Sequence, residues 1–202
     1  MTSSISIRPA RPDDAPLAAA VFRLSMEGTT EFIFGCDGRQ VEITLMRLFS
    51  SDAGRFGYCC AHVAEMNRKP LGMLISFPGA DVTRLSLAAA PQLFRVFGLR
   101  TFGVAARSLL FANIHEADAD EYLVSNLAVL PAAQKHGLGA RLLAHADEQA
   151  RARGLSKCAL LVSTENAAAV NLYRKHGYKI VSTHQPRKPI AGYHRMVKVV
   201  GK

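Results

Sequence analysis

Leu127-Ala128-Val129-Leu130-Pro131-Ala132-Ala133-Gln134-Lys135-His136-Gly137-Leu138-Gly139-Ala140 carries an apolar run through a turn and into a long amphipathic segment. The periodicity predicts a strand over 122–129. A helix follows over 137–153, with Leu138, Leu142, Leu143 and Ala146 on one face and Gly154 just past its end. Between the two, Gly137 and Gly139 keep the backbone clear of Cβ atoms, so several N–H groups can point at one spot. The first amides of a helix lack intrahelical partners and sit at the positive end of its dipole, so residues 134–140 read as a phosphate cradle. Lys135, His136 and Arg141 add positive charge beside it. A Walker loop is excluded because no Gly-Lys-Ser/Thr follows, and a Rossmann fingerprint lacks its third glycine.

Outward from this turn the chain alternates strands and helices. Upstream, a short strand at Ile5 to Ile7 precedes a helix over 14–27 that Asp13 can cap, with Pro16 in its first turn. Gly28 and Gly35 bracket a loop, and Val41, Leu45, Leu48 and Phe49 mark a second helix. Residues 58–66 and 71–77 read as a hairpin turning on Asn67 to Pro70. Residues 84–115 read as a helical insertion interrupted at Pro91, Gly98 and Gly103. Downstream come a buried strand at 158–162, a helix over 166–176, and strands near 178–183 and 193–200. The order predicts an α/β (α+β) fold: a mixed, mostly antiparallel sheet with a central parallel β-α-β crossover, flanked by helices, with residues 1–202 in one domain.

Composition narrows the function. With 202 residues, 49% hydrophobic and 20% charged, the chain can bury a core and is neither disordered nor collagen-like. Its four cysteines have no metal-ligand spacing, so reduced buried thiols are expected and no metal. No targeting signal appears at the N-terminus and no apolar run reaches membrane-spanning length, which points to a soluble, cytoplasmic protein without a membrane partner. The net charge of +9 is lopsided, because residues 151–202 hold eleven basic side chains and one acidic one, Glu165. An anionic partner is implied. A phosphorylated ligand suits it better than specific nucleic acid, for which no recognition motif is present.

Two motifs in order carry a resemblance. Gln134-x-x-Gly137-x-Gly139-Ala140 follows Leu-Ala-Val-x-Pro, and Asn166-Ala-Ala-Ala-Val-Asn-Leu-Tyr173-x-x-x-Gly177-Tyr178 comes after it. Together they resemble the GCN5-related N-acetyltransferase (GNAT) superfamily over about residues 122–182, and Ile7-Arg8-Pro9-Ala10-x-x-x-Asp14 resembles its opening. The resemblance implies acetyl-coenzyme A as co-substrate. Its pyrophosphate would rest on the amides of Gln134, Lys135, His136, Gly137, Leu138, Gly139 and Ala140. Its pantetheine arm would lie along Leu127, Ala128 and Val129, with Asn166 bonding the arm and Tyr173 facing the sulfur as proton donor to the leaving thiolate. Asn166 can equally cap its helix, and Tyr173 lies on the same helix face two turns on.

The acceptor side is less legible. An amine nucleophile with a pKa of about 10.4 must lose its proton before it attacks. The carboxylates that relatives place on the two central strands are replaced here by Leu123 and Leu161. Ser125, Glu121, Glu116 and His115 are the remaining candidates, and Glu27, Glu31 and Ser125 are expected to line the acceptor pocket. The insertion would form another wall or a homodimer surface, ahead of lying on a membrane through its arginines. The expected reaction is direct acetyl transfer to the primary amine of a small molecule. Acetylation of a protein lysine or N-terminus, or coenzyme A sensing without catalysis, are the rival readings.

Overall fold

A computed structural model describes residues 4–26, 28–185 and 191–201. In chain order the elements are β1 (Ile5–Pro9), α1 (Ala15–Met26), α2 (Thr29–Phe34), α3 (Gly38–Ser50), β2 (Ala61–Met66) and β3 (Lys69–Pro78). The insertion follows as α4 (Val82–Ala88), α5 (Ala90–Phe97) and α6 (Thr101–Ser108). Then come β4 (Glu121–Val129), α7 (Leu138–Ala152), β5 (Lys157–Ser163), α8 (Ala167–Lys175), β6 (Lys179–His184) and β7 (Tyr193–Val199). The strands form one sheet in the order β1-β2-β3-β4-β5-β7-β6, antiparallel except for the central β4–β5 pair. This is the mixed, crossover-centred sheet that the sequence implies. No helix among the described residues is long and apolar enough to cross a membrane.

Two cores sandwich the sheet. On one face α1 and α3 bury Val21, Phe22, Leu45, Leu48 and Phe49 against Met73, Ile75 and Leu123. On the other, α7 and α8 bury Leu138, Leu142, Leu143, Ala146 and Tyr173 against Leu74, Val124 and Leu160. The four α7 positions chosen from periodicity are all at most 1% exposed. Each leucine so buried contributes about 1.5–3 kcal/mol of transfer free energy.

Local chemistry redraws several boundaries. Asp13 is exposed, and Asp14 organises the entry to α1 instead: its carboxylate accepts from the Arg11 amide at 2.8 Å and from both Arg8 Nη atoms at 2.8 and 2.9 Å. Gly28 and Gly35, at φ +79° and +63°, do not bracket a loop but flank the short helix α2. Tyr58 to Cys60 form a 3-10 turn rather than the start of a strand, held by Asp52, whose carboxylate accepts the Cys59 amide at 3.0 Å. Cys59 is therefore exposed, and of the four thiols, all free, only Cys158 is buried. Gly103 lies within α6, whereas Gly98, at φ +56°, does break the helix.

A histidine pair joins α7 to the sheet. His62 of β2 and His145 of α7 meet with ring centroids 4.3 Å apart, and His62 Nδ1 and His145 Nε2 are buried without a partner among the described residues. Burial, followed by the neighbouring His145 and Arg153, pushes the His62 pKa down to about 4, and burial lowers that of His145 as well. In the unfolded chain both titrate near about 6.5. Below that pH the unfolded chain takes up protons that the folded one refuses. Stability therefore falls from about pH 6.5 towards about pH 4. Urea unfolding should show this decline in the wild type and a visibly flatter one in His62→Leu; equal slopes would remove the pair from the acid response.

Candidate active site

The cleft begins with one extra residue in β4. Ile75 of β3 pairs with Asn126, but the next residue, Ser76, pairs with Val124, so Ser125 is unmatched in a β-bulge. Bulges bend a strand and increase its twist. The effect on the other side is direct: parallel pairing with β5 runs from Glu121↔Lys157 to Val124↔Leu160 and stops there, although β4 continues to Val129 and β5 to Ser163. Beyond Val124 the two strands splay apart.

Backbone groups face into the gap. Leu130 N donates to Leu71 O of the neighbouring chain segment at 2.8 Å, and hydrogen bonds in an antiparallel pair alternate by residue. Ala128 is thus turned to β3, while Leu127 and Val129 direct N–H and C=O towards β5, where no strand meets them. Gln134 Nε2 donates to the Val129 carbonyl at 3.3 Å, which sets the head of the turn over the end of the cleft.

The turn itself is shaped as an anion nest. Lys135 and Gly137 adopt φ +66° and +85°, separated by a single residue, and the His136 ring nitrogen Nδ1 lies 2.8 Å from the Gln134 carbonyl. Left-handed residues in such a turn make successive amides converge, and a left-handed lysine is backbone strain of the kind found at binding sites. The amides of Lys135 to Ala140 find no acceptor among the described residues. A Cβ at Gly137 would meet only open space, and one at Gly139 only Leu172, at 3.5 Å. The concavity is free for a ligand. Lys135, His136 and Arg141 are all exposed beside it.

Asn166 caps α8: its Oδ1 accepts the Ala169 amide at 3.0 Å, leaving its Nδ2 without a partner among the described residues. Tyr173, two turns on, is 7% exposed and packs edge-on against Tyr178 at 5.9 Å. Burial pushes its pKa up to about 12, and its hydroxyl has no hydrogen-bond partner among the described residues. Leu172 of α8 lies 3.5 Å from the Cβ position of Gly139, so α8 packs beside the start of α7.

The acceptor-side candidates are less free. Glu116 forms a two-pronged ion pair with Arg55 at 2.9 and 2.6 Å, and the same guanidinium donates to Ser125 Oγ at 3.3 Å. Glu121 is 2% exposed, paired with Arg195, and at the closed end of the β4–β5 pair. His115 is exposed and paired with Asp118. Glu31 accepts from Thr30 Oγ1 at 2.9 Å and lies 3.7 Å from Arg23. Glu27 lies outside the described residues. Sequence reasoning misses two polar groups at the bulge. Asn126, 8% exposed, donates to Ser25 Oγ of α1 at 2.8 Å and accepts from Ser125 Oγ at 3.2 Å. Arg55, from the turn after α3, ties Ser125 to Glu116 and Ser86. A polar residue in an apolar strand was the only signal available for Asn126, and none marked Arg55.

Valine at both Gly137 and Gly139 is expected to weaken coenzyme A binding at least tenfold, about 1.4 kcal/mol. Valine strains a residue held at φ +85° and fills the nest. Calorimetric titration with coenzyme A checks this, and an unchanged affinity would remove the nest from the binding site.

The model of the acetyltransferase (GNAT) family matches residues 31–178. A chloroplastic GCN5-related N-acetyltransferase 6 of Arabidopsis thaliana is 34% identical over 82 residues, 40% of this chain and 28% of that protein. The [ribosomal protein bS18]-alanine N-acetyltransferase of Salmonella typhimurium is 36% identical over 75 residues, 37% of this chain and 51% of that one. The matched stretch thus spans about half or less of these curated relatives. An N-acetyltransferase from Staphylococcus aureus Mu50 superposes with a TM-score of 0.75 at 22% identity, covering 95% of this chain and 99% of that one. A second acetyltransferase structure does so at 0.71 and 21%, covering 96% and 99%. At these identities the likeness shows the fold.

Proposed function

This chain belongs to the acetyltransferase (GNAT) family, whose members draw on acetyl-coenzyme A, and on that footing we propose that it transfers the acetyl group of acetyl-coenzyme A to a primary amine by direct attack in a ternary complex. The observation that carries the reading is the cleft that opens at the Ser125 bulge and ends at the unpartnered amides of 135–140. Acetyl-coenzyme A when bound supplies the activated thioester. The amides of the nest hold its pyrophosphate, and Leu127 and Val129 pair with the amides of its arm as a missing strand would. The Val129 N–H, directed into the gap, donates to the carbonyl oxygen as negative charge builds on it. As the N–C bond forms and the C–S bond breaks, Tyr173, kept neutral by burial, would give its proton to the departing sulfur, while the proton lost by the amine nitrogen passes to solvent, from which the tyrosine is reprotonated.

A small-molecule amine is the acceptor we favour. The strand positions hold Leu123 and Leu161, and Glu116 is bound by Arg55, so none of these supplies a free carboxylate. This tells against any acceptor amine of lysine-like pKa, so the small-molecule reading commits to an amine whose own pKa is lowered. The second reading is acetylation of a protein N-terminus, favoured by the name of the Salmonella relative; an α-amine, with a pKa of about 7.7–8.0, needs no strong base. Free-thiol release on a panel of small amines, beside peptides that begin with alanine, tests both. Turnover confined to peptides would replace the small-molecule reading, and binding without turnover on any amine would leave a coenzyme A sensor.

A further inference from the structure

Ten large apolar side chains are exposed among the described residues, and six of them lie between 87 and 110. Leu87, Phe94, Leu99, Phe102, Leu109 and Leu110 are each 52–78% accessible. They sit on α4, α5, α6 and the turns that follow α5 and α6, and α5 buries none of its residues fully. Such a concentration on one segment marks an interaction surface, because scattered single exposures are the norm.

Charge narrows the partner. Residues 82–115 contain four arginines and no carboxylate. Arg107 donates to the Ile33 carbonyl at 2.8 Å, Arg84 pairs with Asp81 at 3.0 Å, and Arg95 donates only to the neutral Gln92 Oε1 at 3.3 Å. Arg95 and Arg100 are exposed, and neither meets a carboxylate within ion-pair distance among the described residues. Each follows directly on an exposed apolar residue, Phe94 and Leu99. A second copy of this chain, docked about a twofold axis, would bring these cations towards one another with no acid in the segment to pair them. An anionic bilayer meets both demands at once. Lipid phosphates neutralise the guanidinium groups while leucine and phenylalanine enter the boundary between headgroups and acyl chains.

We propose that α4 to α6 form a docking surface for an anionic phospholipid membrane, on which the enzyme lies without inserting a spanning helix. Sequence alone, which shows the arginines but not which leucines and phenylalanines are left outside, points to a pocket wall or dimer surface instead. The surface is braced from beneath: Arg107 ties α6 to α2, and Thr101 Oγ1 donates to the Leu93 carbonyl at 3.1 Å, so the outward side chains are displayed by fixed backbone.

Co-sedimentation of the full chain with vesicles tests this. Binding to mixed phosphatidylglycerol and phosphatidylcholine vesicles should exceed binding to phosphatidylcholine alone by about tenfold or more and weaken with added salt. Leu99→Asp with Phe102→Asp should lose at least about tenfold of that binding, and so should Arg95→Glu with Arg100→Glu, which removes no apolar contact. Thermal midpoint and coenzyme A affinity should be unchanged in both, because these side chains lie outside the core and the cleft. No binding to either vesicle, or equal binding to both, would overturn the proposal. So would a wild-type dimer in solution that the Leu99/Phe102 variant dissolves, which would assign the face to a second copy.

Discussion

Tyr173→Phe is expected to lower kcat on the true acceptor by about 10²-fold, the low end of the 10²–10⁴ range for general acid catalysis, with little change in acetyl-coenzyme A affinity. The ring, its place in the α8 core and its edge contact with Tyr178 all survive the substitution. Only the hydroxyl is lost. The low end is expected because a thiolate whose conjugate acid has a pKa of about 8.5, on the cysteine model, already leaves readily. Burial sharpens the pH test. An ordinary tyrosine ionises near about pH 10 and would cut activity there, but this one is pushed up to about 12 and holds its proton throughout the working range. The wild-type profile should therefore show no alkaline fall from this group below about pH 10. A variant with wild-type kcat would reduce Tyr173 to packing, and an alkaline fall near that pH which vanishes in the variant would refute the elevated pKa.

Glu121→Ala should carry a large cost in stability. Glu121 is 2% exposed, and its carboxylate pairs with Arg195 and accepts the Asp118 amide at 2.8 Å. Removing it leaves a guanidinium that is itself largely buried, with Nε already unpartnered and, among the described residues, only the exposed Asp118 still within reach, at 3.1 Å. Breaking a buried pair from one side costs about 3–5 kcal/mol, and Asp118 argues for the lower end. Glu121→Leu combined with Arg195→Met should recover most of the loss, since apolar replacement of both partners is often neutral. Urea unfolding of the single and double variants decides it. A double variant as unstable as the single one would mean that the ion pair itself, rather than the stranded charge, holds the strands.

The parts of this fold that could be read from the chain are those set by local patterns. Leu138, Leu142, Leu143 and Ala146 repeat at helical spacing and are buried, and Gly137 and Gly139 announce a turn that the left-handed Gly137 duly makes. What could not be read depends on contacts across the chain. Asp52 turns Tyr58 to Cys60 into a helical turn from seven residues away, and Arg8 draws Asp14 into a role that local capping rules give to Asp13. The acceptor side fails for the same reason: Glu116 looks like a free base until Arg55, distant in sequence, is found bonded to it. The bulge is the clearest case. Strict alternation carries the α7-facing set Tyr122 and Val124 on to Asn126, yet Asn126 bonds Ser25 of α1 on the other face.

That inversion makes the length of β4 a matter of parity. Upstream of Ser125 the even-numbered side chains belong to the α7 layer, and downstream the odd-numbered Leu127 and Val129 do. A deletion of Ser125 would restore one unbroken phase and, by removing the kink, let β4 and β5 zip together where a ligand should lie. The sheet would gain hydrogen bonds and lose its opening. A deletion further upstream, at 121 or 122, would instead drive Leu123 and Val124 into each other's layers. Length variation in this strand is thus asymmetric: a residue lost at one position trades binding for regularity, and a residue lost further upstream trades away the core.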